Sequence, residues 1–125
     1  MRGETKLMPV QLRLRVETLD NVVILHLLDR RVFDEKEVRE VGEQIQAALP
    51  AGPGAINVIV DFNKVEMISS SLLGKLILLL RRVETSGGRL RMCELNPTIQ
   101  AIFRTSNLDR LFGIDRDLRE SLDHI

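Results

Sequence analysis

Three consecutive hydroxyls, Ser69, Ser70 and Ser71, sit between a strand-like run ending in Asp61 and an apolar run ending in Leu80, in the segment DFNKVEMISSSLLGKLILLL. A hydroxyl at a helix entry can cap it, accepting from one of the unpaired backbone N–H groups of the first turn. It can also accept a phosphate, which brings about 1.5 to 2 negative charges to the positive end of the helix dipole. Nucleophilic catalysis would need a base beside the hydroxyl. The only histidines are His26, inside a strand-like segment, and His124, in the tail, and no serine sits in a G-x-S-x-G elbow. These histidines and the lone Cys93 lack metal-ligand spacing, and no phosphate-binding glycine loop follows a strand. Asp61 at a strand end reads as a loop anchor, accepting N–H bonds in the 62–68 turn, ahead of a catalytic acid. Cys93 beside Met92 reads as packing. Cap or switch is the chemistry that remains.

A helix over Ser70–Thr85 positions the hydroxyls. Residues spaced by about 100° place Leu72, Leu73, Leu76, Leu79, Leu80 and Val83 on one side, to pack on a sheet. Ser70, Ser71, Gly74, Lys75, Leu78, Arg81 and Arg82 fall on the other. Two members of that outer face are out of place. Leu78 is a large apolar side chain in a polar stripe, and Gly74 costs about 1 kcal/mol relative to Ala in a helix interior. A docking surface explains both: Gly74 admits a partner's backbone, Leu78 is the anchor, and Lys75, Arg81 and Arg82 are the charged rim. The alternatives are a stray exposed leucine and a glycine making room for a neighbouring element of the same chain.

The other elements follow from period and punctuation. Gln11–Glu17 alternates, with Leu12, Leu14 and Val16 on one face and Arg13 and Arg15 on the other, as in a half-exposed strand. A turn at Leu19-Asp20-Asn21 leads into a more buried strand, Val22–Leu28, forming a hairpin. Asp34 with Glu37 resembles a capping box before a helix carrying Val38, Val41, Ile45, Ala48 and Leu49. Pro50–Gly54 stops it. Ala55–Val60 is an apolar run fit for a central strand. Gly87-Gly88 ends the serine helix, Arg89–Glu94 is a strand, and Asn96-Pro97 opens a helix to Ser106. Phe112–Ile114 forms a last short strand, and Asp115 caps a final helix with Leu118 and Leu122. The order ββαβαβα(β)α predicts an α/β fold with a mixed sheet of four to five strands and helices packed against it. One domain over residues 8–123 is expected, after a disordered extension at 1–7.

Composition narrows the function classes. In 125 residues, 18 basic side chains balance 18 acidic ones, so no charge excess points to nucleic acid. With Trp and Tyr absent, aromatic stacking platforms are missing too. A single cysteine and no apolar leader point to a cytoplasmic protein, and no run is long enough for membrane insertion. No cofactor is expected.

The central segment resembles the signature of STAS domains, specifically bacterial anti-sigma factor antagonists: a strand, D-[LF]-S, then [FY]-[IM]-D-S-S-G-L-G at the helix start. Here it reads Asp61-Phe62-Asn63, then Met67-Ile68-Ser69-Ser70-Ser71-Leu72-Leu73-Gly74. Gly87-Gly88-Arg-Leu-Arg-Met-Cys93-Glu-Leu-Asn-Pro97 and Leu108-Asp-Arg-Leu-Phe112 extend the likeness along essentially the whole chain. The resemblance implies a non-enzymatic, bacterial regulator of transcription. It would bind an anti-sigma factor kinase, be phosphorylated by it on a serine, and be restored by a phosphatase. Ser70 matches the family's acceptor, with Ser71 second and Ser69 third. Asp61, Asn63, Ser69, Ser70, Ser71, Gly74, Lys75, Leu78, Arg81 and Arg82 form the expected partner surface. The chain departs from the pattern at Asn63, at Leu72, which replaces a glycine, and at Ser69, which replaces the aspartate. Family members without a phosphorylation cycle supply the alternatives: a scaffold or subunit of a stress-signalling assembly or lipid-transport ABC system, or a small-ligand- or nucleotide-binding domain. The sequence does not fix an oligomeric state.

Overall fold

A computed structural model describes residues 11–125; the extension expected at residues 1–7 lies outside the described residues. The hairpin forms from β1, Leu14–Leu19, and β2, Val22–Leu27, in antiparallel register with Leu19 opposite Val22. Asp20 turns the chain with φ of 53°, a left-handed conformation that Asp tolerates. After a two-residue strand β3, Arg31–Val32, helix α1 spans Glu35–Ala48. Its capping box is complete: Asp34 Oδ1 accepts from Glu37 N at 2.8 Å, and the Glu37 carboxylate reaches back to the Asp34 N–H.

Strand β4, Asn57–Asp61, runs parallel to β2 on one side and to β6, Leu90–Cys93, on the other. This central position explains its nearly continuous apolar sequence. Between them lie β5, Met67–Ile68, and α2, Ser70–Thr85, with the bounds its periodicity predicts. Helix α3, Pro97–Thr105, is capped by Asn96, which accepts from Ile99 N at 2.8 Å. A 3-10 turn at Leu108–Arg110 leads to β7, Gly113–Asp115, and to α4, Leu118–His124. The five-stranded sheet has the order β1-β2-β4-β6-β7, antiparallel only at β1.

One sheet face carries Val23, Leu25, Val58, Val60, Leu90 and Met92 into the main core, shared with the apolar sides of α1, α2 and α3. Phe103 stands edge-on to both Phe62 and Phe112 within it, with ring centroids 6.3 and 5.6 Å away. The opposite face is narrower: Val22, Ile24, Ile59 and Cys93 pack beneath Leu118, Leu122 and Ile125.

Three expectations require correction. The first strand starts at Leu14, and its apolar side is not uniformly covered: Leu12 is 65% and Val16 45% exposed, while Arg13 is buried. The Arg13 guanidinium escapes the cost of a lone buried charge by binding both Asp29 and Glu40. The final helix is capped by Asp117, which accepts from Glu120 N at 2.9 Å; Asp115 is a buried strand residue. The 62–68 segment, expected as a loop, contains β5, which pairs in parallel with β3.

Candidate functional site

The three serines have different surroundings. Ser69 is the N-cap of α2, with extended backbone; its hydroxyl accepts from Leu72 N at 3.4 Å, and its N–H donates to the Val32 carbonyl of β3 at 3.0 Å. Ser70 and Ser71 occupy the first two helical positions and are exposed. The first turn of α2 has no acidic side chain, so the helix itself supplies nothing there to offset its dipole. The structure thus separates a capping hydroxyl from two accessible ones.

Along α2, the six residues expected to face inward are all buried. On the outer side Ser70, Ser71, Gly74 and Arg81 are exposed, Leu78 is 55% exposed and Lys75 is half-buried. A Cβ at Gly74 would meet nothing within 4 Å, so the glycine makes room for no element of the described chain. Arg82 differs from its expected place on a free rim. Its guanidinium donates to Gln46 Oε1 and lies 3.5 Å from the Pro50 carbonyl, tying α2 to the end of α1.

Helix α1 supplies the other wall of this surface, which the spacing within α2 could not show. Arg39, Gly42, Glu43 and Gln46 face Lys75 and Leu78 across a groove of about 390 Å³, and a second depression links Glu35, Val38 and Arg39 to Ser71 and Lys75. Gly42 matters because the Lys75 side chain lies against it: a Cβ there would stand 3.0 Å from Lys75 Cδ. Phe33, 47% exposed, follows Val32, whose carbonyl holds Ser69 N, so an apolar ring stands at the serine end of α2.

Asp61 and Asn63 belong to a different neighbourhood. Asp61 ends β4, and its Oδ1 accepts from Asn63 N at 2.9 Å, the loop-anchor role expected of it. Its Oδ2 lies 2.6 Å from His26 Nδ1, and His26 Nε2 lies 2.5 Å from Glu17 Oε1. The imidazole can donate to both carboxylates only with a proton on each nitrogen. The hydrogen bond from His26 holds the Glu17 carboxyl below its ordinary range. Pairing of β1, β2 and β4 builds this row from residues far apart in sequence. Asn63 is exposed and lines a polar depression with Arg30, Lys64, Glu66, Glu94 and Asn96.

On the α4 side, Asp115 accepts from Arg91 through both oxygens, at 2.9 and 2.7 Å, and from the Ser121 hydroxyl at 2.7 Å; His124 Nδ1 lies 2.7 Å away. Burial alone would raise the Asp115 carboxyl, but the hydrogen bonds from Arg91, Ser121 and His124 hold it well below the usual carboxylate range. Burial, with Asp61 and Glu94 nearby, pushes the Cys93 thiol up to about 12, which fits a packing role. Among the described residues no group of histidine, cysteine and carboxylates is arranged to hold a metal ion, and no helix is long and apolar enough to cross a membrane.

Comparison with known proteins bears on this geometry. The profile of a family described as "Mlab, STAS domain" matches residues 14–118. BtrV of Bordetella bronchiseptica, provisionally named an anti-sigma factor antagonist, is 30% identical over 74 residues, which span 58% of this chain and 64% of that relative. An anti-sigma-factor antagonist (STAS) domain protein from Planctomyces limnophilus has the same fold, with TM-score 0.78 at 21% identity over 87% of this chain and 93% of its own. An anti-sigma factor antagonist from Mycobacterium paratuberculosis gives 0.77 at 20% identity, over 90% and 92%. The Bacillus cell fate determinant SpoIIAA in its phosphorylated form gives 0.61 at 19% identity, over 89% and 97%.

Proposed function

The chain belongs to the STAS-domain family, and from that premise we propose that it is an anti-sigma factor antagonist whose docking to an anti-sigma factor kinase is switched by phosphorylation of Ser70. The observation that carries this proposal is the juxtaposition on α2. An exposed hydroxyl at the first helical position stands at one end of an outward face whose Gly74 and Leu78 have no evident purpose within the fold. The free protein tolerates the phosphate, because the first turn of α2 favours an anion. In the complex the same charge must be desolvated against the partner, and the interface opens. The protein is the substrate of that cycle and needs no cofactor; a serine phosphatase resets it.

The test is direct. Incubation with the cognate kinase should add one phosphate, read by intact mass, and Ser70→Ala should abolish the addition while retaining kinase binding. Ser70→Asp should weaken binding. Leu78→Glu should abolish it while changing stability by no more than about 0.5 kcal/mol, since the side chain is already exposed. If both Ser70 variants bind as the wild type does, the switch is not at this position.

Ser69, standing where the family pattern has an aspartate, favours a second reading: a STAS scaffold or subunit without phosphorylation, in a stress-signalling assembly or a lipid-transport ABC system. Leu78→Glu would then still abolish association, while kinase treatment would leave the mass unchanged. Titration calorimetry with GTP, ATP and fatty acids distinguishes the small-ligand alternative, which requires measurable heat.

A further inference from the structure

We propose that the outer edge of β1, which pairs with no other strand among the described residues, pairs with β1 of a second copy of this chain, on a two-fold axis through Val16. Strand β1 ends the five-stranded sheet. The Arg13 carbonyl accepts from Leu28 N at 3.0 Å, and the hairpin register continues that pairing through Arg15–His26 and Glu17–Ile24. In an antiparallel ladder alternate residues bond inward, so Leu14, Val16 and Thr18 direct their backbone groups away from β2.

The outward parity and the charges together select one register. An antiparallel copy must match outward residues with outward residues. Centring the axis on Arg15 or Glu17 sets like charges opposite each other, which destabilises a cross-strand pair. Centring it on Val16 places Arg15 opposite the copy's Glu17 and Glu17 opposite the copy's Arg15. Leu14, Val16 and Thr18 then form hydrogen-bonded pairs with the copy's Thr18, Val16 and Leu14. The two ion pairs occupy the non-hydrogen-bonded positions, where side chains come closest. Arg15 and Glu17 are 58% and 50% exposed at the side chain and already lie 3.5 Å apart. The other side of the strand is apolar: Leu12 and Val16, exposed by 65% and 45%, border a depression shared with Leu14, Gln44, Ala47 and Ala48 of α1. An edge strand usually carries charges that repel a second edge; here the same charges are self-complementary in one register.

Charge reversal on the full chain, read by sedimentation equilibrium, tests the pairing. The wild type should move from the mass of one chain towards that of two as concentration rises from micromolar to millimolar, because one strand pair buries less than a standard interface. Arg15→Glu and Glu17→Arg should each weaken association by about tenfold, since two attractive pairs become repulsive. An equimolar mixture of the two variants should recover it as a heterodimer, and so should the double variant. Circular dichroism establishes that each variant is folded. A wild type that stays monomeric throughout, or a folded Arg15→Glu variant that associates as tightly as wild type, overturns the proposal. So does failure of both the folded double variant and the folded mixture to recover association.

Discussion

Ser69 stands where the family pattern has an aspartate, yet Ser and Asp are equally good N-caps, so the substitution should leave the helix entry intact. Replacing Ser69 with Ala removes the side-chain acceptor for Leu72 N, which keeps its bond to the Ser69 carbonyl at 3.1 Å. The lost bond is long, at 3.4 Å, and its donor stays paired, which sets the expected loss at about 0.5 to 1 kcal/mol, the low end of the range for lost caps. For a domain of this size the melting temperature should fall by about 2 to 4 °C. Ser69→Asp keeps an acceptor and adds a charge to a first turn that has no acidic side chain. It should gain about 0.3 to 1 kcal/mol, and the gain should shrink as salt is added. Ser70→Ala, one residue on, changes an exposed hydroxyl and should stay within about 0.5 kcal/mol of wild type. Urea unfolding of the four proteins at low and high salt should rank Ser69→Asp as the most stable, wild type and Ser70→Ala together below it, and Ser69→Ala last. If the Ser69→Ala protein is as stable as wild type, the hydroxyl is not a cap, and the division of labour among the serines is wrong.

Gly74 and Gly88 should respond oppositely to alanine. Gly74→Ala enters open space and should raise stability by about 0.5 to 1 kcal/mol, while weakening partner binding if a backbone docks there. Gly88→Ala would drive a Cβ into the Ile56 carbonyl and should cost at least about 3 kcal/mol in denaturant unfolding. Asp115→Asn should cost about 2 to 4 kcal/mol at neutral pH by stripping Arg91 of its buried partner. Because the Asp115 carboxyl is held below its unfolded value, its contribution is complete above the ordinary carboxylate range and is lost as pH falls through and below it. The stability gap between wild type and Asp115→Asn should therefore narrow below about pH 4, and a gap constant from pH 7 to pH 3 would contradict the assigned hydrogen bonds.

The parts of this fold that were legible in sequence are those with a long period or a cap. Helix α2 carries six buried residues at helical spacing, and its bounds and both faces follow from them. The Asp34–Glu37 box and Asn96-Pro97 mark their helices because a cap is a local interaction. Two-residue strands such as β3 and β5 are too short to show a period, and only their mutual pairing reveals them. The D-L-R-E spacing at Asp117–Glu120 is itself a capping signature; the earlier Asp115 competed with it because a sequence does not reveal which aspartate is buried. Of the candidate surface, the α2 stripe was readable. The α1 wall, the Phe33 ring and the His26 row were not, since strand order and helix packing bring those residues together.

The lopsided covering of the sheet affects how the protein is made. Three helices close one face as their strands are laid down, but Val22, Ile24, Ile59 and Cys93 on the other wait for α4. All of those residues leave the ribosome before it. Until α4 docks, the sheet therefore presents a bare apolar strip, at the stage when a growing chain is most open to chaperones and to misassembly with its neighbours.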